Sequence, residues 1–218
     1  MLIKIIHKLE EYLTWLFPVK CFGCAGPGEY YCQKCLSELS GPFTGRAEFI
    51  SIIFFASDYA DSGLKSAVKA LKYRSGWKIA PIFGGFLASN LKSSMGQVLK
   101  EKPRVMPVPM AKSRLKERGF NHAELIARVV SAELSLTFDP GILVKLKNTL
   151  PQAECADRRE RLENIIGSFG LNPGSDVRGK NILLIDDVST TGATLNEAAR
   201  VLREAGANKI FAAVVARG

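Results

Sequence analysis

The stretch that constrains this chain most is ILLIDDVSTTGATL, Ile182 to Leu195. Four apolar residues in succession fit a strand covered on both faces, and such strands belong to parallel sheets packed between helices. Asp186 and Asp187 end the run, at the carboxyl end where open α/β sheets place their crevices. The loop Val188, Ser189, Thr190, Thr191, Gly192, Ala193, Thr194 follows, and Leu195, Ala199 and Leu202 then recur at helical spacing. This order aims backbone N–H groups and hydroxyls at one spot, at the positive end of a helix dipole, where a phosphate monoester fits. The two carboxylates would repel that phosphate. Vicinal sugar hydroxyls would donate to them, and Mg2+ could be brought into range, so a phosphorylated ribose matches both halves. An Asp before a helix can simply cap it, which accounts for one acid but not for two. The stretch is not a Walker A loop, and GxGxxG is also absent.

The rest of the chain keeps the same alternation. FISIIFFA reads as a strand, GLKSAVKALKY and the region of IAPIFGGFLASNL as helices, RVMPVP as a short strand, NHAELIARVVSAEL as a helix and ILVKL as a short strand. A polar, arginine-rich segment from Lys147 to about Leu162 precedes strand NILLIDD, helix ATLNEAARVLREAG and strand KIFAAVVA. Alternating strands and helices imply crossovers, so the expected class is α/β with a mostly parallel sheet flanked by helices. At 218 residues there is room for one large domain and a small appendage. Gly41 and Pro42 suggest the boundary, with a module over 1–42 and the main domain over 43–218.

Four of the five cysteines lie in the small module as Cys21, Cys24, Cys32 and Cys35, spaced C-x2-C-x7-C-x2-C. Two such turns can face one ion and complete a tetrahedron around Zn2+, closed and hence structural. A pair of disulfides is the alternative, which a chain without a secretion signal has little reason to form. Cys155 stands alone as a free thiol. MLIKIIHKLEEYLTWLF is interrupted by Lys4, Lys8, Glu10 and Glu11, so it reads as an amphipathic helix and not as a signal peptide or a membrane span. A cytoplasmic location is expected. With 30 Lys and Arg against 21 Asp and Glu, the net charge of +9 suits an anionic partner or a merely solvated basic surface.

Ile182 to Thr194 resembles the phosphoribosyl diphosphate (PRPP) motif of type I phosphoribosyltransferases. Together with the four cysteines, ALKYR at Ala70 to Arg74, PVPMAKSRLKERGFNHAELIA at Pro107 to Ala127 and QAECADRRERLENIIGSF at Gln152 to Phe169, the chain resembles the ComF family of competence-related, phosphoribosyltransferase-like proteins. The resemblance spans nearly the whole chain. Ser189 departs from the apolar or aromatic residue of many members, and His122 stands where a glutamine is common.

The resemblance implies a type I phosphoribosyltransferase-like fold that binds PRPP with Mg2+. Asp186 and Asp187 would hold the ribose hydroxyls, and Val188 to Thr194 the 5'-phosphate. Pro107, Val108, Pro109 and Met110, with Lys72 and Arg114, would meet the pyrophosphate, and Gln152, Arg158 and Arg161 would lie on a mobile loop closing over the substrate. Stiff prolines beside Lys112, Arg114 and Arg118 suit that task, although an ordinary loop with solvated charges has the same composition. Lys65, Lys69 and Lys72 share one helix face. No residue is assigned as a catalytic acid or base, since the sequence places neither His7 nor His122 in the crevice. The expected activity is diphosphate displacement at ribose C1 by an acceptor the sequence does not identify. The alternative is a non-catalytic PRPP or nucleotide sensor that binds single-stranded DNA and a helicase partner during natural transformation.

Overall fold

The computed structural model describes residues 18–73, 76–147 and 164–218. The expected N-terminal helix, Arg74, Cys155 and the loop residues Gln152, Arg158 and Arg161 lie outside them.

A short helix α1 (Gln33–Ser37) follows the cysteine turns. The larger unit begins with β1 (Phe43–Ala47) and β2 (Ile50–Asp58), then helices α2 (Ser62–Leu71), α3 (Gly76–Ser94) and α4 (Gly96–Lys100). Next come β3 (Arg104–Pro107), α5 (Lys112–Arg118), α6 (His122–Glu133) and the small antiparallel pair β4 (Leu143–Lys145) and β5 (Phe169–Leu171). The chain closes with β6 (Ile182–Ser189), α7 (Ala193–Glu204) and β7 (Ile210–Arg217). The five-stranded sheet runs β1-β2-β7-β6-β3, with β2, β7, β6 and β3 parallel and β1 antiparallel at one edge. The expected mostly parallel sheet is therefore present. The elements α1, β1, α4, α5 and β5 were not expected from the sequence; all are short.

Alternation along the central strands sorts the core into two layers. Leu183 and Ile185 of β6 join Phe211, Ala213 and Val215 of β7 under α2, α3 and α6. Ile182 and Leu184 join Ile210, Ala212 and Val214 under α7 and the β4–β5 pair. The cysteine module is sewn into the first layer, where Cys21, Tyr31, Cys35 and Leu36 are buried with Leu64 and Phe83. Its contact with α2 depends on Gly63, where a Cβ would come within 2.7 Å of the Gly23 Cα and 2.9 Å of the Phe22 carbonyl oxygen. Helix α2 is capped by Asp61, whose carboxylate accepts from the Leu64 N–H at 2.6 Å and from the Tyr31 hydroxyl at 3.3 Å. Among the described residues, no helix is long and apolar enough to cross a membrane.

Candidate functional site

A crevice of about 590 Å3 opens at the carboxyl ends of β3 and β6. It is lined by Asp186 to Leu195, Val108 to Ala111, Lys69, Lys72, Arg114 and Arg118. Most of the expected site residues among those described thus meet in one place. Pro107 lies just behind it as the last residue of β3, and Lys112 is not part of the lining.

The loop begins later than the sequence suggests, because Val188 and Ser189 still belong to β6 and pair with Ala216 and Arg217 of β7. Gly192 takes a left-handed conformation, φ 75°, as N-cap of α7, and no side chain caps that end. Only the Ala193 N–H is engaged locally, by the Thr191 hydroxyl at 3.3 Å. The rest of the first turn is aimed into the crevice among Ser189, Thr190 and Thr194. Across from it the Val108 N–H donates to the Ile185 carbonyl at 2.9 Å, and the Asn121 amide donates to the Val108 carbonyl at 3.0 Å. The Asn121 side chain also accepts from the Ala123 N–H and so caps α6. One residue therefore ties the Pro-rich turn to a helix start and delivers His122 to the crevice wall.

The two acids do different things. Asp187 follows Leu183 and Ile185 onto the α2–α6 side, where its Oδ2 lies 3.1 Å from the Lys72 Nζ and 3.6 Å from the His122 Nε2. Burial alone would raise this carboxyl, but the charges of His122 and Lys72 outweigh it and hold the group well below the usual carboxylate range. In return Asp187 raises Lys72 against the opposing effect of burial. Asp186 follows Ile182 and Leu184 toward the other side and accepts from the Asp187 N–H at 2.9 Å. Burial, and then the neighbouring Asp187 charge, push its carboxyl well above the ordinary range. His122, Asp186 and Asp187 each offer a ligand atom, and these lie within 4.8 Å of one another. Two carboxylates beside a phosphate-type loop fit a hard cation such as Mg2+.

Several lining residues were missed in the sequence, His122 and Lys145 among them. His122 reads as one polar residue in a helical pattern; the signal was the Asn before it, a capping residue that fixes the helix start. Lys145 lies at the end of the three-residue β4, too short for its facing to be read from alternation. Its ammonium sits 4.2 Å from the centre of the Phe169 ring across the β4–β5 pair. Burial, helped by the Arg114 charge, pushes it down to about 8, while Asp186 and Glu197 pull it up.

The four cysteines form a second centre. Their Sγ atoms lie within 4.8 Å of one another, with Cys21–Cys32 at 3.7 Å and Cys24–Cys32 at 3.8 Å. A tetrahedral ion with Zn–S bonds of about 2.3 Å requires S–S edges of about 3.8 Å, whereas a disulfide requires about 2.05 Å. Burial would raise Cys21, yet N–H groups of the turns, among them Gly23 at 3.3 Å and Cys32 at 3.4 Å, bring it down to about 6. A thiol already biased toward thiolate is the right donor for a closed metal site.

The crevice, the strand–acid–loop–helix order and the sheet define a phosphoribosyltransferase-type domain, and residues 85–218 match the family described as phosphoribosyl transferase domain. The chain is 32% identical to Competence protein ComFC of Bacillus subtilis (strain 168), covering 92% of this chain and 91% of that one. It is 28% identical to DNA utilization protein YhgH of Escherichia coli (strain K12), over 69% of this chain and 65% of that protein. Among solved structures, purine phosphoribosyltransferase from Pyrococcus horikoshii Ot3 aligns over 71% of this chain and 82% of its own, with TM-score 0.35 and 16% identity. The chain belongs to the ComF family, whose competence and DNA-utilization members it resembles along most of its length.

Proposed function

We propose that the protein binds PRPP with Mg2+ in this crevice and acts as a phosphoribosyltransferase, in the cytoplasm and in a DNA-uptake setting. The observation that carries this reading is a buried, ion-paired Asp187 next to a helix N-terminus that a glycine leaves open. The 5'-phosphate is taken by the N–H groups and hydroxyls of Val188 to Thr194, whose glycine lets the backbone turn without a side chain in the way. Asp186 and Asp187 accept from the ribose hydroxyls. Pro107 to Met110, held by Asn121, with Lys72 and Arg114, face the diphosphate. Asp186 and Asp187 would hold Mg2+, which would supply charge neutralisation at the departing diphosphate. At C1 the acceptor nitrogen's lone pair forms the new bond while the C1–O pair leaves with the diphosphate; the nitrogen's proton goes to water or diphosphate. The four cysteines hold a structural Zn2+.

Calorimetry with PRPP and Mg2+ tests the pocket, and diphosphate release with a panel of bases tests turnover. Micromolar binding is expected; no binding by the wild-type protein, or Asp187→Asn binding as well as wild type, refutes the reading. A second reading, a non-catalytic adaptor for single-stranded DNA and a helicase partner, draws on the exposed Tyr73 and Trp77, with Lys78 5.1 Å from the Trp77 ring. Bases stack on such rings while lysines meet the backbone. Salt-dependent DNA binding, weakened by charge reversal at Lys65, Lys69 and Lys112 and joined to binding of PRPP without turnover, would favour it.

A further inference from the structure

PRPP presents a 5'-phosphate, two ribose hydroxyls and a diphosphate. In the reading above the α7 N-terminus, the acidic pair, and the Pro107–Met110 turn with Lys72 and Arg114 account for all three. Three cations of the crevice, Lys69, Arg118 and Lys145, have no part in that reading. Lys145 reaches the crevice from β4, on the side of the sheet that Asp186 faces and away from the α2–α6 side where Lys72 sits. Ile165 and Leu195 are apolar members of the same crevice lining. The Lys145 ammonium rests on the Phe169 ring and forms no ion pair with any described residue.

A half-buried ammonium without a carboxylate partner is costly to hold, and an anion brought in by a ligand relieves that cost. The charged groups that face it are Arg114 from α5, Asp186 from β6 and Glu197 from α7. Glu197 is already engaged, since it accepts from the Gly167 N–H at 2.7 Å and from Arg200 at 2.8 Å. It therefore does not neutralise Lys145. What remains is a crevice with apolar residues in its lining and an ammonium that no carboxylate neutralises.

We infer that Lys145 recognises the acceptor, and that the acceptor is a flat nitrogen nucleophile carrying an acid group, such as an aromatic amine or heterocycle bearing a carboxylate. This rests on the PRPP reading. The ring meets the apolar part of the lining and the carboxylate meets the lysine. A neutral ring of the same shape meets the same lining but leaves the ammonium unpaired, so the site prefers the acid.

Matched pairs test this: orotate against uracil, and anthranilate against aniline, titrated calorimetrically into the full-length protein saturated with Mg2+ and PRPP, with diphosphate release followed in parallel. The expected result is at least tenfold tighter binding of one acid than of its neutral partner. Lys145→Met should abolish that preference and Lys145→Arg should keep most of it, with PRPP affinity within twofold of wild type in both. Neutral rings binding as well as acids, or no acid binding at all, overturns the inference. So does a Lys145→Met protein that loses PRPP affinity, which would give the lysine to the diphosphate. Wild-type protein that fails to bind PRPP brings down the underlying reading instead, so the two failures are told apart by the first titration.

Discussion

Lys145→Met is expected to make the protein more stable at neutral pH. Burial lowers the lysine from its ordinary 10.5 to about 8. At about 1.36 kcal/mol per pH unit this sets a ceiling of about 3 kcal/mol on the cost of keeping it charged. Part of the ammonium is reached by water, and the Phe169 contact returns about 0.5–1 kcal/mol, so about 1 kcal/mol should be realised. In the folded chain the lysine loses its proton near pH 8, whereas in the unfolded chain it does so near 10.5. The unfolded state therefore binds more protons between these values, and the penalty, complete below pH 8, fades as pH rises to 10.5. Methionine keeps the apolar stem and removes the charge. Urea unfolding of wild type and variant at pH 7 and at pH 10.5 checks this. A gain of about 1 kcal/mol, or about 2–4 °C in Tm, should appear at pH 7 and vanish at pH 10.5. A variant less stable than wild type at pH 7, or a gap that ignores pH, would refute the account of a strained, unpaired cation.

Other outcomes follow from the same geometry. Asp187→Asn leaves Lys72 and His122 facing a neutral amide and should cost at least tenfold in PRPP affinity by calorimetry. Gly192→Val puts a β-branched side chain where φ is 75° and should lose about 1–3 kcal/mol in denaturant melts while weakening ribose 5-phosphate binding. Gly63→Val drives a side chain into Gly23 and Phe22 and should lower Tm by several degrees, with zinc retention falling in elemental analysis. Mass spectrometry of the native protein should give one zinc per chain, and Cys21→Ser with Cys35→Ser should remove it; intact disulfides in metal-free protein would contradict the site.

The central β6–α7 unit was readable because each step has a local cause: four apolar residues for a doubly covered strand, two acids in its carboxyl-terminal half, a glycine for the left-handed cap. The four cysteines were readable because their spacing alone sets the ligand geometry. What escaped notice depends on contacts distant in sequence. Nothing local says that Asn121 bonds to Val108 and so brings His122 beside Asp187, 65 residues further along the chain. Nor does a three-residue strand reveal that Lys145 will lie over Phe169. The acids looked alike in the sequence, and only the strand's alternation separated a deeply ion-paired Asp187 from an Asp186 driven toward its protonated form.

The Tyr31 hydroxyl holds Asp61, the residue that starts α2, and the far end of that helix delivers Lys72 to Asp187. The cysteine knuckle and the acid pair are thus the two ends of one short rod. With zinc bound there as proposed, a chelator that strips the knuckle should loosen the rod at its near end and disturb the aim of the lysine at its tip. The four-cysteine cluster and a crevice that itself contains no cysteine among the described residues are thus mechanically joined.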